Sequence, residues 1–385
     1  MSDFVWTIVA SSYVICNFKN QNITIDDNIA AYDLDHTIIQ PKNGKIFNNK
    51  KENDWEYLPN IIDKIKHDIS LHNSKFMIIT NQKNLNKKEA AYNIWKLKVE
   101  KILMTINIPC IVLASFKDDR YRKPRPYILL DNYEFKKDNS FYCGDAGGIF
   151  TKREVICDGN TICVSEDFSD TDIKFAANIG VNFIHRDEYL YNNTYNLPKI
   201  VYFEIKTTYD NNLLSATSYN PTLQPRMSPE IVIFVGAPGC GKSTLSKKYE
   251  TLGYVIINQD TLKTSKKCIS ECKRLISLGK SIVIDNTNPS KKTRAEYIHP
   301  AKNSDIKYTL HCIHFKVDEM RCKHNNIYRH IINPNREIVP SVAYRFYNKN
   351  FELPNIEEGF DTITTLGFGI DPEIRDSPEY NYYYF

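Results

Sequence analysis

The chain has 385 residues, 42% of them hydrophobic, and a formal net charge of +4. That length favours two or three domains with sizeable cores, and so small a charge excludes a global field, so that a nucleic-acid site must be a local patch. Ten cysteines lie scattered with no CxxC pair and nine histidines form no HExxH, which excludes a disulfide framework and a zinc site of ordinary spacing. No apolar run approaches a membrane span, and the apolar start MSDFVWTIVASSYVIC lacks the basic residues of a secretory signal. An intracellular, reducing compartment is expected, nuclear or cytoplasmic, with a viral origin open; the abundant Asn, Lys and Ile fit an AT-rich genome.

From Ile29 the pattern alternates. Ile29 to Leu34 reads as a strand, Leu58, Ile61, Ile62, Ile65 and Ile69 mark one helical face, and Phe76 to Ile79 is again a strand. Asn86 to Ile106 is helical, Ile111 to Ala114 and Ser140 to Cys143 are short strands, and a helix over Asp172 to Ile179 precedes a strand over Val181 to Ile184. Such βα alternation predicts a parallel sheet with ligand sites at the carboxyl ends of its strands.

Polar clusters stand at those ends: Asp33-Leu34-Asp35-His36-Thr37, Thr80-Asn81-Gln82, Arg122-Lys123-Pro124 and Gly144-Asp145-Ala146-Gly147-Gly148. Asp, Thr, Lys and Asp in that order describe a phosphate site. Asp33 is the candidate nucleophile and Asp35 the acid that protonates the leaving oxygen and then deprotonates water. Asp33, Asp145 and the carbonyl of Asp35 suit Mg²⁺, Thr80 and Asn81 offer donors to phosphate, and Lys123 offsets its charge.

Asn192 to Tyr209 suggests a strand or two, and Asn220 to Pro229, with three prolines, reads as a linker. The strand Ile231 to Val235 then runs into Gly236-Ala237-Pro238-Gly239-Cys240-Gly241-Lys242-Ser243-Thr244 and a helix from Leu245. This is a phosphate loop for ATP or GTP: backbone N–H groups turn around phosphate oxygens, Lys242 reaches the terminal phosphates and Ser243 can hold Mg²⁺. Asp260, after the strand Tyr254 to Ile257, is the candidate base for an attacking hydroxyl. Asp285, ending the strand Ser281 to Ile284, reads equally as a metal-side carboxylate or a cap. His311, Cys312 and His314 read as a buried strand. Arg321, Lys323 and Arg329 form a basic helical stretch fit for a lid, and Gly367 to Phe385 is expected to be a loosely held tail. Local basic patches run over Lys117 to Arg125, Lys263 to Arg274, Lys291 to Arg294 and Arg321 to Arg336; Lys117, Arg120, Tyr121 and Arg125 are candidates for a rim that binds a single strand.

These motifs, with Gly44 to Phe47, Asp54-Trp55, Asp167-Phe168-Ser169, Asp260-Thr261-Leu262, Asp285 to Pro289, His324-Asn325-Asn326 and Phe351 to Phe360, closely resemble the polynucleotide kinase 3′-phosphatase family from about residue 20 to 362. The resemblance implies a haloacid dehalogenase-like phosphatase domain over 1–190, a linker over 191–228, an adenylate-kinase-like P-loop kinase domain over 229–366 and a tail over 367–385, both domains α/β with parallel sheets. It implies a monomeric, bifunctional 3′-phosphatase and ATP-dependent 5′-hydroxyl kinase that heals strand-break ends of DNA, with RNA open, alongside a DNA ligase or other repair proteins and without a membrane. The residues also allow a small-molecule kinase fused to a sugar-phosphate phosphatase. Three departures stand out: His36 replaces the usual Gly, Gly148-Ile149 replaces a Gly-Arg, and Ile327 stands where a lid arginine is common, leaving Arg329 as the candidate. A forkhead-associated domain, and with it recruitment by phosphorylated scaffolds, is expected to be absent.

Overall fold

A computed structural model describes residues 3–42, 53–83, 85–157, 160–191, 215, 218, 219, 221 and 228–385. Two compact units form, one of residues 1–201 with 382–385 and the other of residues 202–381. The strands expected over Asn192 to Tyr209, most of the proline-bearing linker and the Gly44 to Phe47 motif lie outside the described residues.

The first unit holds a seven-stranded sheet of β1 (Phe4–Val9), β2 (Tyr13–Phe18), β3 (Asn28–Tyr32), β4 (Lys75–Asn81), β5 (Cys110–Ser115), β6 (Lys136–Gly144) and β7 (Asn182–His185), in the order β1-β2-β5-β4-β3-β6-β7. From β5 to β7 every pairing is parallel; β1 and β2 add an antiparallel hairpin that the sequence reading left unassigned. The central strands are buried on both faces and so read as continuous apolar runs. Helix α1 (Ile61–His72) buries Ile61 and Ile65, and α2 (Glu89–Ile106) buries Trp95, Val99, Ile102, Leu103 and Ile106. Each stops at an asparagine in the left-handed region, Asn73 and Asn107, whose backbone N–H satisfies a last-turn carbonyl. Helices α3 (Thr171–Ile179) and α4 (Arg186–Tyr191) follow β6 and β7. Chain order runs one way from β3 through β4 to β5 and the other way to β6, so the switch point lies at the ends of β3 and β6.

The second unit holds five parallel strands, β8 (Glu230–Val235), β9 (Val255–Ile257), β10 (Ile282–Ile284), β11 (Thr309–Phe315) and β12 (Thr362–Leu366), ordered β9-β10-β8-β11-β12. Helix α5 (Lys242–Thr251) leaves the phosphate loop. Helix α6 (Ser265–Ser277) buries Cys268, Cys272, Leu275 and Ile276 at helical spacing and is capped by Thr264, whose side chain accepts from the Lys267 N–H. Helices α7 (Lys291–Lys302), α8 (Glu319–Ile332) and α9 (Ser341–Asn350) complete the layers.

Several residues taken for basic patches are core. Arg294 is fully buried; it clamps Glu358 through two bonds of 2.6 and 2.7 Å and donates to the carbonyls of Asn288 and Pro289. Arg125 is buried on Asp118 and the Asp119 carbonyl, and Arg321 is buried with its guanidinium over the Phe368 ring. A guanidinium enters a core only when its donors find acceptors there, which composition along a chain does not display. Breaking the Arg294–Glu358 pair strands a buried carboxylate, so Arg294→Ala is expected to destabilise the second unit by about 3–5 kcal/mol, read by urea unfolding. Arg294→Ala with Glu358→Ala should recover part of that loss; an additive double variant would show that the pair acts independently.

The tail is not loosely held. Tyr380 and Tyr384 are each 1% exposed, the first within the second unit and the second within the first. Burial of aromatic surface outweighs the fraying expected of a chain end.

Candidate active sites

In the first unit the strand ends deliver four acidic or basic groups to one place. Asp33 follows β3, Asp145 follows β6, Lys123 comes from the loop after β5, and Asp172 sits in the first turn of α3. Lys123 is buried, with its ammonium 2.7 Å from Asp33 Oδ1, 2.8 Å from Asp172 Oδ1 and 2.5 Å from Tyr142 Oη. Tyr142 Oη in turn donates to the Ile79 carbonyl at 2.9 Å. Ligand oxygens of Asp33, Asp145 and Asp172 all lie within 4.8 Å of one another. The backbone is shaped for this crowding, since a Cβ on Gly144 would lie 2.3 Å from Asp172 Oδ2.

Electrostatics follows from the count of charges. Burial raises the Asp33 carboxyl to about 8, with Lys123 opposing and Asp172 and Asp145 adding to the rise. Burial raises Asp145 to about 7, with Asp172 adding and Arg186 and Lys123 opposing. Burial alone would depress Lys123, but Asp172 and Asp33 outweigh it and hold the ammonium charged. The raised values of Asp33 and Asp145 mean that three carboxyl groups do not all ionise readily beside one ammonium; a divalent cation would relieve that repulsion, and the groups offer the hard oxygen donors that fit it.

The other sequence candidates divide. Asp35 accepts from Gln82 Nε2 at 2.6 Å and has Lys98 at 3.7 Å; Gln82 also reaches Thr80 Oγ1 at 3.1 Å. Beside the phosphate contact expected of it, Asn81 has a task within the protein. Its side-chain oxygen accepts from the Lys123 N–H at 3.0 Å and its amide donates to the Lys123 carbonyl at 3.1 Å, a reciprocal clamp that fixes the lysine. Asp172 was absent from the site expected of the sequence, and Gln82 stood in a strand-end cluster without a role. Asp172 looked like an ordinary first-turn acid, and only the fold brings it to Lys123.

His36 has φ of 62°, in the left-handed region where glycine is free and a branchless polar residue is tolerated at a cost of about 1 kcal/mol. Its N–H donates to the Ile39 carbonyl at 2.6 Å and its carbonyl accepts from Arg186 Nη1 at 2.9 Å. Arg186 also faces Asp145 electrostatically, so a guanidinium serves this loop although Ile149 lacks one. Asp167 holds the same loop by accepting from the N–H groups of Gly147 and Ile149, both at 3.0 Å. Strain relief predicts that His36→Gly raises unfolding stability by about 0.5–1 kcal/mol. A lower midpoint in denaturant at unchanged slope would contradict this.

Around this site Arg122 carries a buried guanidinium nitrogen, Nη1, with no partner among the described residues, and burial lowers its pKa. Phe150 and Phe168 are 58% and 78% exposed on two loops joined by the Gly148 N–H to Ser169 carbonyl and Asp167 N–H to Ile149 carbonyl bonds. Of the expected rim, Lys117 is exposed; Arg120 pairs with Asp131 and lies 4.1 Å over Tyr127; Tyr121 packs on Tyr13; and Arg125 is buried.

In the second unit the phosphate loop Gly236 to Thr244 joins the central strand β8 to α5. Gly239 and Gly241 have φ of 82° and 104°, and a Cβ on Gly239 would meet the Cys322 carbonyl at 2.3 Å. Lys242 is buried, donating to the carbonyls of Gly236 and Ala237 at 2.9 and 2.8 Å, while Ser243 and Thr244 are exposed at the helix start. Asp285 turns towards α5, accepting from Ser246 Oγ at 3.0 Å. Its carboxyl is raised by burial, against the pull of Lys242 and of bonds from Ser246 and Ser243. It caps no helix; Ser290 does that for α7. Asp260 is exposed in a short turn, Gln259–Leu262, that Asn258 caps. Arg329 senses Asp260 electrostatically, bonds Asn326 Oδ1 at 3.1 Å and leaves Nε without a partner among the described residues. Lys323 is taken up by Glu319, and Arg321 by Phe368, so Arg329 alone of the three suits a ligand. Asn325 donates to the Gly239 carbonyl at 2.9 Å and is itself oriented by Tyr380 Oη at 2.7 Å.

Comparison with known proteins agrees with this division. Residues 28–190 match the model of the polynucleotide kinase 3 phosphatase family, and residues 231–354 match an AAA domain family. The chain is 31% identical to the bifunctional polynucleotide phosphatase/kinase of Schizosaccharomyces pombe, covering 98% of this chain and 88% of that protein. It is 34% identical to a putative bifunctional polynucleotide phosphatase/kinase of Acanthamoeba polyphaga mimivirus, covering 91% and 87%. A polynucleotide 3′-phosphatase of Saccharomyces cerevisiae matches at 26% identity over 42% of this chain and 86% of its own length. With both sites on one chain and relatives aligned along nearly all of it, the protein belongs to the family of bifunctional polynucleotide phosphatase/kinases.

Proposed function

We propose that Asp33 and Asp35 carry the 3′-phosphatase reaction and Asp260 and Lys242 the 5′-kinase reaction of a strand-break healing enzyme. The chain is a bifunctional polynucleotide 3′-phosphatase and ATP-dependent 5′-hydroxyl kinase. The observation that carries the residue roles is the buried Lys123 bridging Asp33 and Asp172 beside Asp145, at the switch point of a parallel sheet.

In the phosphatase, an Asp33 oxygen attacks phosphorus while Asp35 gives its proton to the departing 3′-oxygen. Water then attacks the aspartyl phosphate, Asp35 takes its proton, and inorganic phosphate leaves with Asp33 restored. Lys123 neutralises charge at the nucleophile, and Gln82 keeps Asp35 aimed. In the kinase, the 5′-oxygen attacks the γ-phosphorus of ATP as Asp260 accepts its proton, and Lys242 and Arg329 meet the charge on the transferring group. The loop positions Gly236, Pro238, Gly239, Gly241, Ser243 and Thr244 cradle the nucleotide phosphates. Both fold types imply a divalent metal, which we assign as Mg²⁺. Asp33, Asp145 and the Asp35 carbonyl would hold it in one unit and Ser243 in the other, where it spreads negative charge in the transferring phosphoryl group.

We assign residues 1–190 and 229–366 to the two catalytic domains and 191–228 to the linker. Among the described residues no helix is long and apolar enough to cross a membrane. The free cysteines fit a reducing compartment, nuclear or cytoplasmic. The chain acts as a monomer on DNA ends, with a ligase working downstream.

A polynucleotide suits the phosphatase rim better than a sugar phosphate, because Phe150 and Phe168 offer exposed ring faces on which bases can stack. Stacking of a base on an aromatic ring contributes about 1–3 kcal/mol. Phe168→Ala is therefore expected to raise KM for a 3′-phosphorylated single strand by about tenfold and leave small phosphate esters unchanged. The function as a whole is tested on gapped duplex DNA bearing 3′-phosphate and 5′-hydroxyl, with ATP and Mg²⁺, by whether added ligase then seals it. Faster turnover of sugar phosphates than of oligonucleotides would overturn the strand-break reading.

A further inference from the structure

Asn178, near the end of α3, is buried and uses its whole side chain. Its amide donates to the Pro124 carbonyl at 2.7 Å and to the Tyr383 carbonyl at 2.8 Å, and its oxygen accepts from the Tyr383 N–H at 2.7 Å. Pro124 directly follows Lys123. One amide thus ties the lysine loop to the last residues of the chain, which belong to the same compact unit.

The other contacts of that segment fall on the same stretch of loop and helix. The Tyr382 ring meets the Tyr127 ring edge-on at 5.8 Å, three residues beyond Pro124. Tyr384 is buried, and Lys174 of α3 donates to a Phe385 carbonyl at 2.8 Å. On its other side the loop is held by the Asn81 clamp. We propose that Tyr382–Phe385 is a positioning element of the phosphatase, which holds the Lys123 loop through Asn178 and Tyr127 so that the ammonium stays on Asp33.

The physical case rests on placement. Lys123 touches Asp33 and Asp172 within 0.1 Å of each other in distance, and its backbone is fixed by hydrogen bonds at Asn81 on one residue and at Asn178 on the next. Without the tail, the Asn178 amide turns to water and the Pro124 carbonyl loses a fixed donor. A misplacement of about 1 Å in a phosphate site lowers turnover by up to about a hundredfold. The exposed rim rings Phe150 and Phe168 lie on other loops and do not follow such a shift, so the larger part of the effect belongs in kcat and the smaller in KM.

The inference depends on Lys123 being the cation of the phosphatase site, as proposed above. The test compares the full chain with a chain ending at Asn381, with Tyr383→Pro, which loses the N–H given to Asn178, and with Lys123→Met. Substrate is a 3′-phosphorylated oligonucleotide, rates are normalised to sites titrated by beryllium fluoride, and kinase activity of the same preparation is the internal reference. We expect phosphatase kcat per titrated site to fall about tenfold in both tail variants, with KM within about twofold and kinase turnover unchanged. Asn178→Ala should show the same fall, and combining it with the truncation should add little. Equal kcat per site in the truncated, Tyr383→Pro and full chains overturns the proposal. Wild-type phosphatase turnover in Lys123→Met would instead overturn the site assignment on which it stands.

Discussion

Asp33→Ala is expected to lower 3′-phosphatase turnover by four orders of magnitude or more, roughly 5.5 kcal/mol of transition-state stabilisation, while 5′-kinase turnover stays at the level of the unaltered chain. The Asp33 carboxylate supplies the atom that bonds to phosphorus, and its neighbours cannot take its place: Lys123 is a cation, Asp35 is held away by Gln82, and Asp145 lies on the loop after another strand. The same substitution should not weaken the fold. Burial and two neighbouring carboxylates already disfavour the Asp33 charge, and Lys123 retains Asp172 and Tyr142 as partners when it is gone. Loss of phosphatase with an undiminished unfolding midpoint therefore marks a chemical role. If phosphatase survives within a hundredfold, the nucleophile lies elsewhere; if kinase is lost with it, the two sites are not independent.

The mirror expectation concerns Lys242→Ala, which should lower kinase turnover by about 10²–10³, roughly 3–4 kcal/mol, and leave 3′-phosphate removal intact. Lys242 sits at the first position of α5 with its ammonium on the loop carbonyls of Gly236 and Ala237, in the loop proposed to cradle the nucleotide phosphates. Removing it deletes a positive charge from a loop otherwise built of neutral donors. Both turnover numbers, measured on one oligonucleotide carrying 3′-phosphate and 5′-hydroxyl, give the answer in a single comparison. A kinase that loses less than about threefold would mean that Arg329 or the metal carries most of the charge.

Much of this was legible in the sequence because the chemistry sits where periodicity ends. Asp33, Thr80, Asp145, the phosphate loop and Asp285 each close an apolar run, and the runs became strands within a residue or two of their expected bounds, except that the strand before Asp145 starts four residues earlier, at Lys136. Side-chain destinations were not legible. Asn81 clamps the Lys123 backbone, Asp172 completes the acidic cluster from a helix start, and Arg125, Arg294 and Arg321 leave the surface. Each of these depends on a partner distant in sequence: Asn81 on Lys123, Asp172 on Asp33, Arg294 on Glu358. Local propensity cannot encode such pairings. His36 is the intermediate case, where a family difference was visible but its left-handed backbone was not.

The hairpin of β1 and β2 bears on how this enzyme can be cut for laboratory use. The match to the phosphatase family model begins at residue 28, which invites expression of a shortened fragment from about that point. β2 pairs with β5 along its whole length, from Tyr13 opposite Ser115 to Phe18 opposite Cys110, and every residue of β5 is buried. Trimming the hairpin would uncover six residues of sequence CIVLAS as an unprotected, uncharged sheet edge, the kind of template on which chains associate. A fragment starting near residue 28 should enter inclusion bodies, whereas one retaining Asp3 to Phe18 should remain in the supernatant.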